Sequence, residues 1–479
     1  MIKEITFKGE WFLPNEVENK VKGVLVFKPT ERYSTLELYG SLFEYQDVYA
    51  LDIILGTTFD DNEVTLYKCY VKNLVGIPRS SERDFRAKNS SNHQSSTYEI
   101  EYIFDGAHIK SIEDLVFQKI SAEIYNLAEW VGIHGFSNYN HDYKHEQGIM
   151  ISCSYLQPKP IDFKINDKLT GTINFWSSTS SISRFKKEAR ITQNTYLTLT
   201  SSEYLDLSEL MEYIYKFQNF LVISMYSHTN PTSIELSCDK FFDKLIDGRG
   251  INIQHPKKIN LYYNQRKQIP SSTPKTHFEM LFSYEDIQFQ FSLIISKWFE
   301  KYELLKPTFN LIFYQFYLNE HVIDVLFLNL AQAAESFHYL LNIKENKRIP
   351  VKEFEQRKQI LKEALNDEAL YNWISNQLHN GLTLDTRLNA LFKDYSIPSK
   401  VIDFIGDKDL FIKQVKNSRN YYTHFNPKEK RNALSGEELV TLYQKLQLLL
   451  ISVILIEVGF DQGLMDRFFS AKSSRVFHI

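Results

Sequence analysis

The apolar residues of this chain change their spacing once, between residues 260 and 276, and that change limits what the chain can fold into. Up to about residue 260 they recur at every second position in short runs broken by Gly and Pro, as in VKGVLVFKP, STLELYGSL and STYEIEYIFDG. Such alternation puts one row of side chains on each face of an extended chain and predicts half-buried antiparallel strands. In TYEIEYIF, Tyr98, Ile100, Tyr102 and Phe104 share one face, with Glu99 and Glu101 opposite. Beyond residue 275 the apolar residues recur every three to four positions. This holds in FSLIISKWFEKYELL, HVIDVLFLNLAQAAESFHYLLNI, VKEFEQRKQILKEAL, DTRLNALFKDY, KDLFIKQVKNSRNYYTHF and SGEELVTLYQKLQLLLISVILIEVGF. That is the period of helices with one buried face.

The fold class expected is therefore α+β. A mostly antiparallel, β-rich domain with some helices spans residues 1–260, and an all-α bundle spans 276–479. Residues 261–275, LYYNQRKQIPSSTPK, carry two prolines and a Ser-Ser-Thr run and read as the linker. Within the first domain, 114–132 (DLVFQKISAEIYNLAEWVG) reads as partly helical. Residues 206–226 read as a helix that Asp206 or Ser208 can cap. The segment 76–96, with Arg79, Arg83, Arg86 and Lys88, reads as a long polar loop that is solvated or meets phosphates or an acidic partner.

Composition excludes several classes. With 43% hydrophobic residues the 479-residue chain has ample material for sizeable cores, and a net charge of -4 is not that of a basic nucleic-acid coat. The start, MIKEITFKGEWFLP, has no apolar run of the signal-peptide kind, and LQLLLISVILIEVGF (446–460) is short for a membrane span and reads as a core helix. Cys69, Cys153 and Cys238 are odd in number and far apart, so a reducing cytoplasm and no disulfide framework are expected. No P-loop, GxGxxG or GxSxG occurs.

The chemistry concentrates in NSRNYYTHFN, residues 417–426. A helix from Asp407 or Asp409 to about Pro427 would turn Phe411, Ile412, Val415 and Tyr422 inward and leave Arg419, Asn420 and His424 outward. Asn420 and His424 lie one turn apart on one face, whereas Arg419 and His424 are roughly 140° apart around the axis. One helix cannot aim both at a point, but two facing copies can. These residue types suit metal-free RNA cleavage. An imidazole can take or give the proton of a ribose 2′-hydroxyl, and a guanidinium can grip the phosphate and stabilise its added charge. Asn420 can orient either by hydrogen bonding. Lys413 and Lys416, earlier on the helix, are placed for phosphate contact, and Tyr421 and Tyr422 for packing or base stacking. The alternative is a solvated helix face.

A second polar cluster, HGFSNYNHDYKHE, holds His134, His141, His145 and Glu146. The i, i+4 spacing of His141 and His145 would seat zinc on a helix. Gly135, Ser137, Asn138 and Asn140 argue against one before His141, so a surface loop without metal is expected.

R-N-x-x-x-H on a helix of a small bundle resembles the signature of HEPN domains. The whole chain resembles ApeA-type proteins of bacterial antiphage defence, through 7–42, 121–132, 206–225 and the helix LAQAAESFHYLL (330–341). The resemblance implies a HEPN-like bundle acting as a metal-independent endoribonuclease without cofactor and working as a homodimer. It implies that Arg419 and His424 form the catalytic pair, with Asn420 their companion. Glu335 is then either a partner of Arg419 across the bundle or an ordinary surface carboxylate. The implied substrate is RNA, with transfer RNA loops one choice because unpaired bases allow in-line attack. The N-terminal domain would restrain or trigger the nuclease in response to a phage protein. The rival reading is a non-catalytic module that binds nucleotides, RNA or protein.

Overall fold

In the computed structural model the first six strands close into a barrel. The structure describes residues 3–43, 48–75, 94–144, 148–179, 187, 190–246, 252–265, 273–317, 322–342, 346–365 and 367–471. The chain divides into two compact units, Met1–Gln288 and Phe289–Ile479.

The barrel strands are β1 (Ile5–Phe12), β2 (Val21–Phe27), β3 (Ser34–Leu38), β4 (Ala50–Thr58), β5 (Glu63–Val75) and β6 (Ser95–Asp105). Going round the ring, β3 pairs with β2, β2 with β1, β1 with β4, β4 with β5, β5 with β6, and β6 with β3, all antiparallel. Closure removes the exposed edges that an open sheet would offer for aggregation. Trp11, Leu25, Leu36, Ile54, Leu66, Tyr98 and Ile100 fill its interior. The packing is tight enough at Gly56 that a Cβ there would stand 2.3 Å from the Trp11 ring.

The alternation read in TYEIEYIF holds through Ile100 and then breaks: Ile103 and Phe104 are both buried, and Tyr102 is only half-buried. The cause is a change of partner. Residues Ser96–Ile100 pair with β3, while Tyr102–Asp105 pair on the same edge with a later strand, β16. The far half of β6 thus belongs to two layers, with Ile103 in the barrel core and Phe104 stacked on Phe117 at 6.1 Å between ring centres.

The remaining strands of this unit are β7 (Val116–Ile124), β8 (Phe136–Asp142), β9 (Met150–Tyr155), β10 (Ile161–Lys164), β11 (Leu169–Thr179) and β12 (Ile191–Asp206). After them come β13 (Pro231–Ser237), β14 (Phe242–Ile246), β15 (Asn252–Pro256) and β16 (Ile259–Tyr263). A second sheet continues from β6 in the order β16, β13, β7, β12, β11, β10. Helices α1 (Leu127–Val131) and α2 (Leu207–Met225) pack with it, and a short α3 (Tyr284–Ile287) follows. Asp206 caps α2 as its sequence suggests: its side chain accepts from the Glu209 amide at 2.9 Å, and Glu209 accepts from the Asp206 amide at 3.1 Å.

Two expectations are corrected here. Residues 116–124 are a strand, and only Leu127–Val131 are helical. β12 slips its register between Thr200 and Leu205, opposite Phe117 to Lys119, so Phe117 and Ile120 are both buried though three apart, which mimics helical spacing. Leu261–Tyr263, at the head of the expected linker, are strand residues of β16. The loop expected over 76–96 falls largely outside the described residues, with Arg79, Arg83, Arg86 and Lys88 among those not described.

The second unit is helical: α4 (Phe291–Tyr317), α5 (Ile323–Leu341), α6 (Val351–Ala364), α7 (Glu368–Gln377), α8 (Leu384–Asp394), α9 (Ser399–Ile405), α10 (Lys408–His424), α11 (Gly436–Glu457) and α12 (Gln462–Ala471). α5 is central and packs against α4, α8, α10 and α11. α11 is long and apolar enough to cross a membrane, but 72% of its apolar window is buried inside this unit, as a core helix requires.

Candidate functional site

α10 begins where its sequence says it should. The Asp407 carboxylate accepts from the Leu410 amide at 2.7 Å and satisfies one of the free donors of the first turn. Phe411, Ile412, Val415, Ser418 and Tyr422 form the buried stripe. Two hydrogen bonds lock its last turns to the following chain: Tyr422 donates to the Leu434 carbonyl at 2.9 Å, and the Leu434 amide donates to Ser418 Oγ at 3.1 Å. The helix stops at His424 because Phe425 adopts a left-handed conformation with φ 48, two residues before Pro427.

This placement leaves the three motif side chains in different surroundings. Arg419 is half-buried, with a side chain 33% exposed, and faces α5. Its Nη2 donates to both oxygens of Glu335, at 3.3 and 3.1 Å, and its Nη1 donates to Asn420 Oδ1 at 3.4 Å. His424 stands on the exposed last turn. So the structure brings together Arg419, Asn420 and Glu335, which are 84 residues apart at their farthest. It leaves the imidazole facing solvent, in keeping with the angular separation along the helix. Of Glu335's two readings, the partner of Arg419 is the one realised.

The residues assigned to RNA contact divide. Lys413 is exposed. Lys416 is also exposed and pairs with Asp385 of α8 at 3.5 Å, a contact worth little in water. Tyr421 is half-buried, with its ring edge-on to Tyr422 and Phe425, so packing occupies much of it.

Two further residues join the cluster that the sequence reading did not single out. His338 lies one turn beyond Glu335 on α5, and Arg387 of α8 donates from Nη1 to His338 Nδ1 at 3.3 Å. The guanidinium of Arg387 also lies over the Tyr339 ring at 5.7 Å. Burial, and then the positive charge of Arg387, hold the His338 imidazole below its ordinary pKa. Neutral His338 therefore keeps Nδ1 free to accept. Burial likewise lowers Arg387, while the negative charge of Glu335 pulls it back up. A signal for Arg387 was available: it interrupts the apolar stripe Leu384, Leu388, Leu391 of its own helix, and charged residues are rarely buried without a partner.

The histidine cluster of 134–146 does not form a helix. His141 lies in β8, paired with β9, and its Nε2 shares a hydrogen bond of 2.8 Å with the Tyr139 hydroxyl. His134 precedes that strand, and His145 and Glu146 lie outside the described residues. The expected surface loop is thus a two-stranded hairpin. Among the described residues no group of three or more His, Cys, Asp or Glu is gathered as a metal site would need. The three cysteines are free, with Cys153 exposed and the other two buried.

Chemically, the cluster offers a fixed cation, a carboxamide beside it and an exposed imidazole at the end of the same helix. A family model described as ApeA N-terminal domain 1 matches residues 6–298, and one described as Apea-like HEPN matches residues 328–464. No curated protein and no solved structure matches the chain.

Proposed function

The chain belongs to the ApeA family, with an ApeA N-terminal domain followed by an Apea-like HEPN domain, and from that premise we propose that it is an antiphage-defence endoribonuclease. The observation that carries this reading is the double anchoring of Arg419 by Glu335 and Asn420 on the helix that ends in exposed His424. An arginine on a merely solvated face has no need of a carboxylate from another helix, whereas a phosphate-gripping arginine gains from being held ready.

In the proposed reaction Arg419 grips the non-bridging oxygens of the scissile phosphate, and His424 takes the proton of the neighbouring 2′-hydroxyl. The 2′-oxygen bonds to phosphorus as the bond to the 5′-oxygen breaks. The leaving oxygen then takes up a proton from an imidazolium. The products are a 2′,3′-cyclic phosphate and a 5′-hydroxyl, and no metal enters the cycle. Asn420 orients the guanidinium or the phosphate, and Lys413 adds attraction for the RNA backbone. Transfer RNA loops are the proposed substrates, the cytoplasm the proposed location, and the N-terminal unit the proposed restraint or phage-responsive trigger.

Because Arg419 and His424 diverge on one helix, the working site combines Arg419 of one copy with His424 of another. Mixing the Arg419→Ala chain with the His424→Ala chain is then expected to restore cleavage to about a quarter of the wild-type level, since half the random dimers are mixed and each has one intact site. Light scattering of the active preparation should give a dimer's mass. No rescue on mixing, or a monomer's mass, would contradict the composite site. RNA binding without any cleavage by the intact chain would favour the non-catalytic module instead.

A further inference from the structure

Arg387 is only 8% exposed, yet the sole hydrogen bond of its guanidinium among the described residues goes to an uncharged acceptor, His338 Nδ1. A desolvated cation needs a countercharge nearby. The charge acting on it most strongly is that of Glu335, which is also the carboxylate bonded to Arg419. Three side chains of α5 converge on this one guanidinium: His338 by hydrogen bond, Tyr339 by its ring face, and Glu335 by charge. Their spacing, at i, i+3 and i+4, puts them on one face of the helix. By itself the Arg419–Glu335 pair is one-third exposed and loose, the kind of ion pair that side-chain motion weakens. A second, buried cation behind the carboxylate removes that looseness.

We propose that Arg387 is a positioning residue for Arg419: its buried guanidinium fixes the Glu335 carboxylate on α5, and that carboxylate holds Arg419 by Nη2 so that the rest of the guanidinium is presented to a phosphate. Arg387 itself touches no substrate. The role rests on the reading of Arg419 as the phosphate-gripping group. It predicts a chain of dependence that runs from Arg387 through Glu335 to Arg419.

The test is a mutant cycle on RNA cleavage with a structural readout beside it. Arg387→Met removes the charge but keeps length and apolar bulk, and is expected to lower kcat by about 100-fold with KM little changed, the cost of a misplaced catalytic group. Arg387→Lys should recover part of that loss. Combining Arg387→Met with Glu335→Gln should cost no more than Glu335→Gln alone, because both act through one route. Losses that multiply, or wild-type kcat in Arg387→Met, would overturn the proposal. A crystal structure of Arg387→Lys or Arg387→Met reads the claim without activity: the Arg419–Glu335 contact should be lost in the Met variant, and its retention would overturn the proposal. If instead the Arg419→Ala chain cleaves normally, the reading of the site fails, and the crystallographic result still decides the link between Arg387 and Glu335.

Discussion

Replacing His424 by alanine is expected to slow RNA cleavage by about 100- to 10,000-fold, the usual worth of a positioned proton-transfer group. Replacing Arg419 by alanine is expected to cost about 100- to 1,000-fold through lost charge stabilisation. Both losses should occur in folded protein. His424 is exposed and outside the buried stripe of α10, so its removal takes nothing from the core. The Arg419–Glu335 pair is one-third exposed, and such pairs contribute about 1 kcal/mol at most to stability. Thermal unfolding followed by circular dichroism should therefore give midpoints close to wild type for both variants. A cleavage assay with purified RNA supplies the rates. The same arithmetic says why Glu335 is worth having: its contact contributes little to holding the unit together and much to where Arg419 points.

The second large effect is on the scaffold. Trp298 of α4 is fully buried, stacked on Phe309 at 5.0 Å between ring centres and edge-on to Tyr302 and Phe313. Replacing it with alanine is expected to destabilise the helical unit by about 3–5 kcal/mol, from lost burial and the cavity left behind. α4 packs on α5, which carries Glu335, His338 and Tyr339, so the damage reaches the site through its central helix. Denaturant unfolding of Trp298→Ala should show a lowered midpoint, with cleavage lost in proportion to the unfolded fraction. This contrasts with His424→Ala, where cleavage falls and the midpoint stays. A Trp298→Ala chain with wild-type stability would contradict the packing described for α4.

Much of this site was legible in the sequence because it depends on local rules. Asp407 before a run with helical period marks the start of α10, and the stripe Phe411, Ile412, Val415, Tyr422 is the buried one. Given that helix, the outward placement of Arg419, Asn420 and His424 follows from 3.6 residues per turn. What was not legible depends on contacts between distant segments. The closure of the barrel is set by β6 pairing with β3 and β5 at once, and nothing in TYEIEYIF announces that its last residues change partner to β16. The register slip of β12 disguised β7 as a helix by putting Phe117 and Ile120 three apart on the buried side. Glu335 entered only through family resemblance, since no spacing rule links α5 to α10. Arg387 carried its own signal, a charge within an apolar stripe, but only the fold says which carboxylate answers it.

The most direct measurement is the chemistry of the cut ends. Purified chain incubated with RNA in excess chelator, followed by end-specific ligation and sequencing, should yield 2′,3′-cyclic phosphates and 5′-hydroxyls at discrete positions. Those ends should be absent from the His424→Ala chain. Ends bearing 3′-hydroxyls and 5′-phosphates, or cleavage that stops when divalent ions are removed, would contradict a site built from Arg419 and His424.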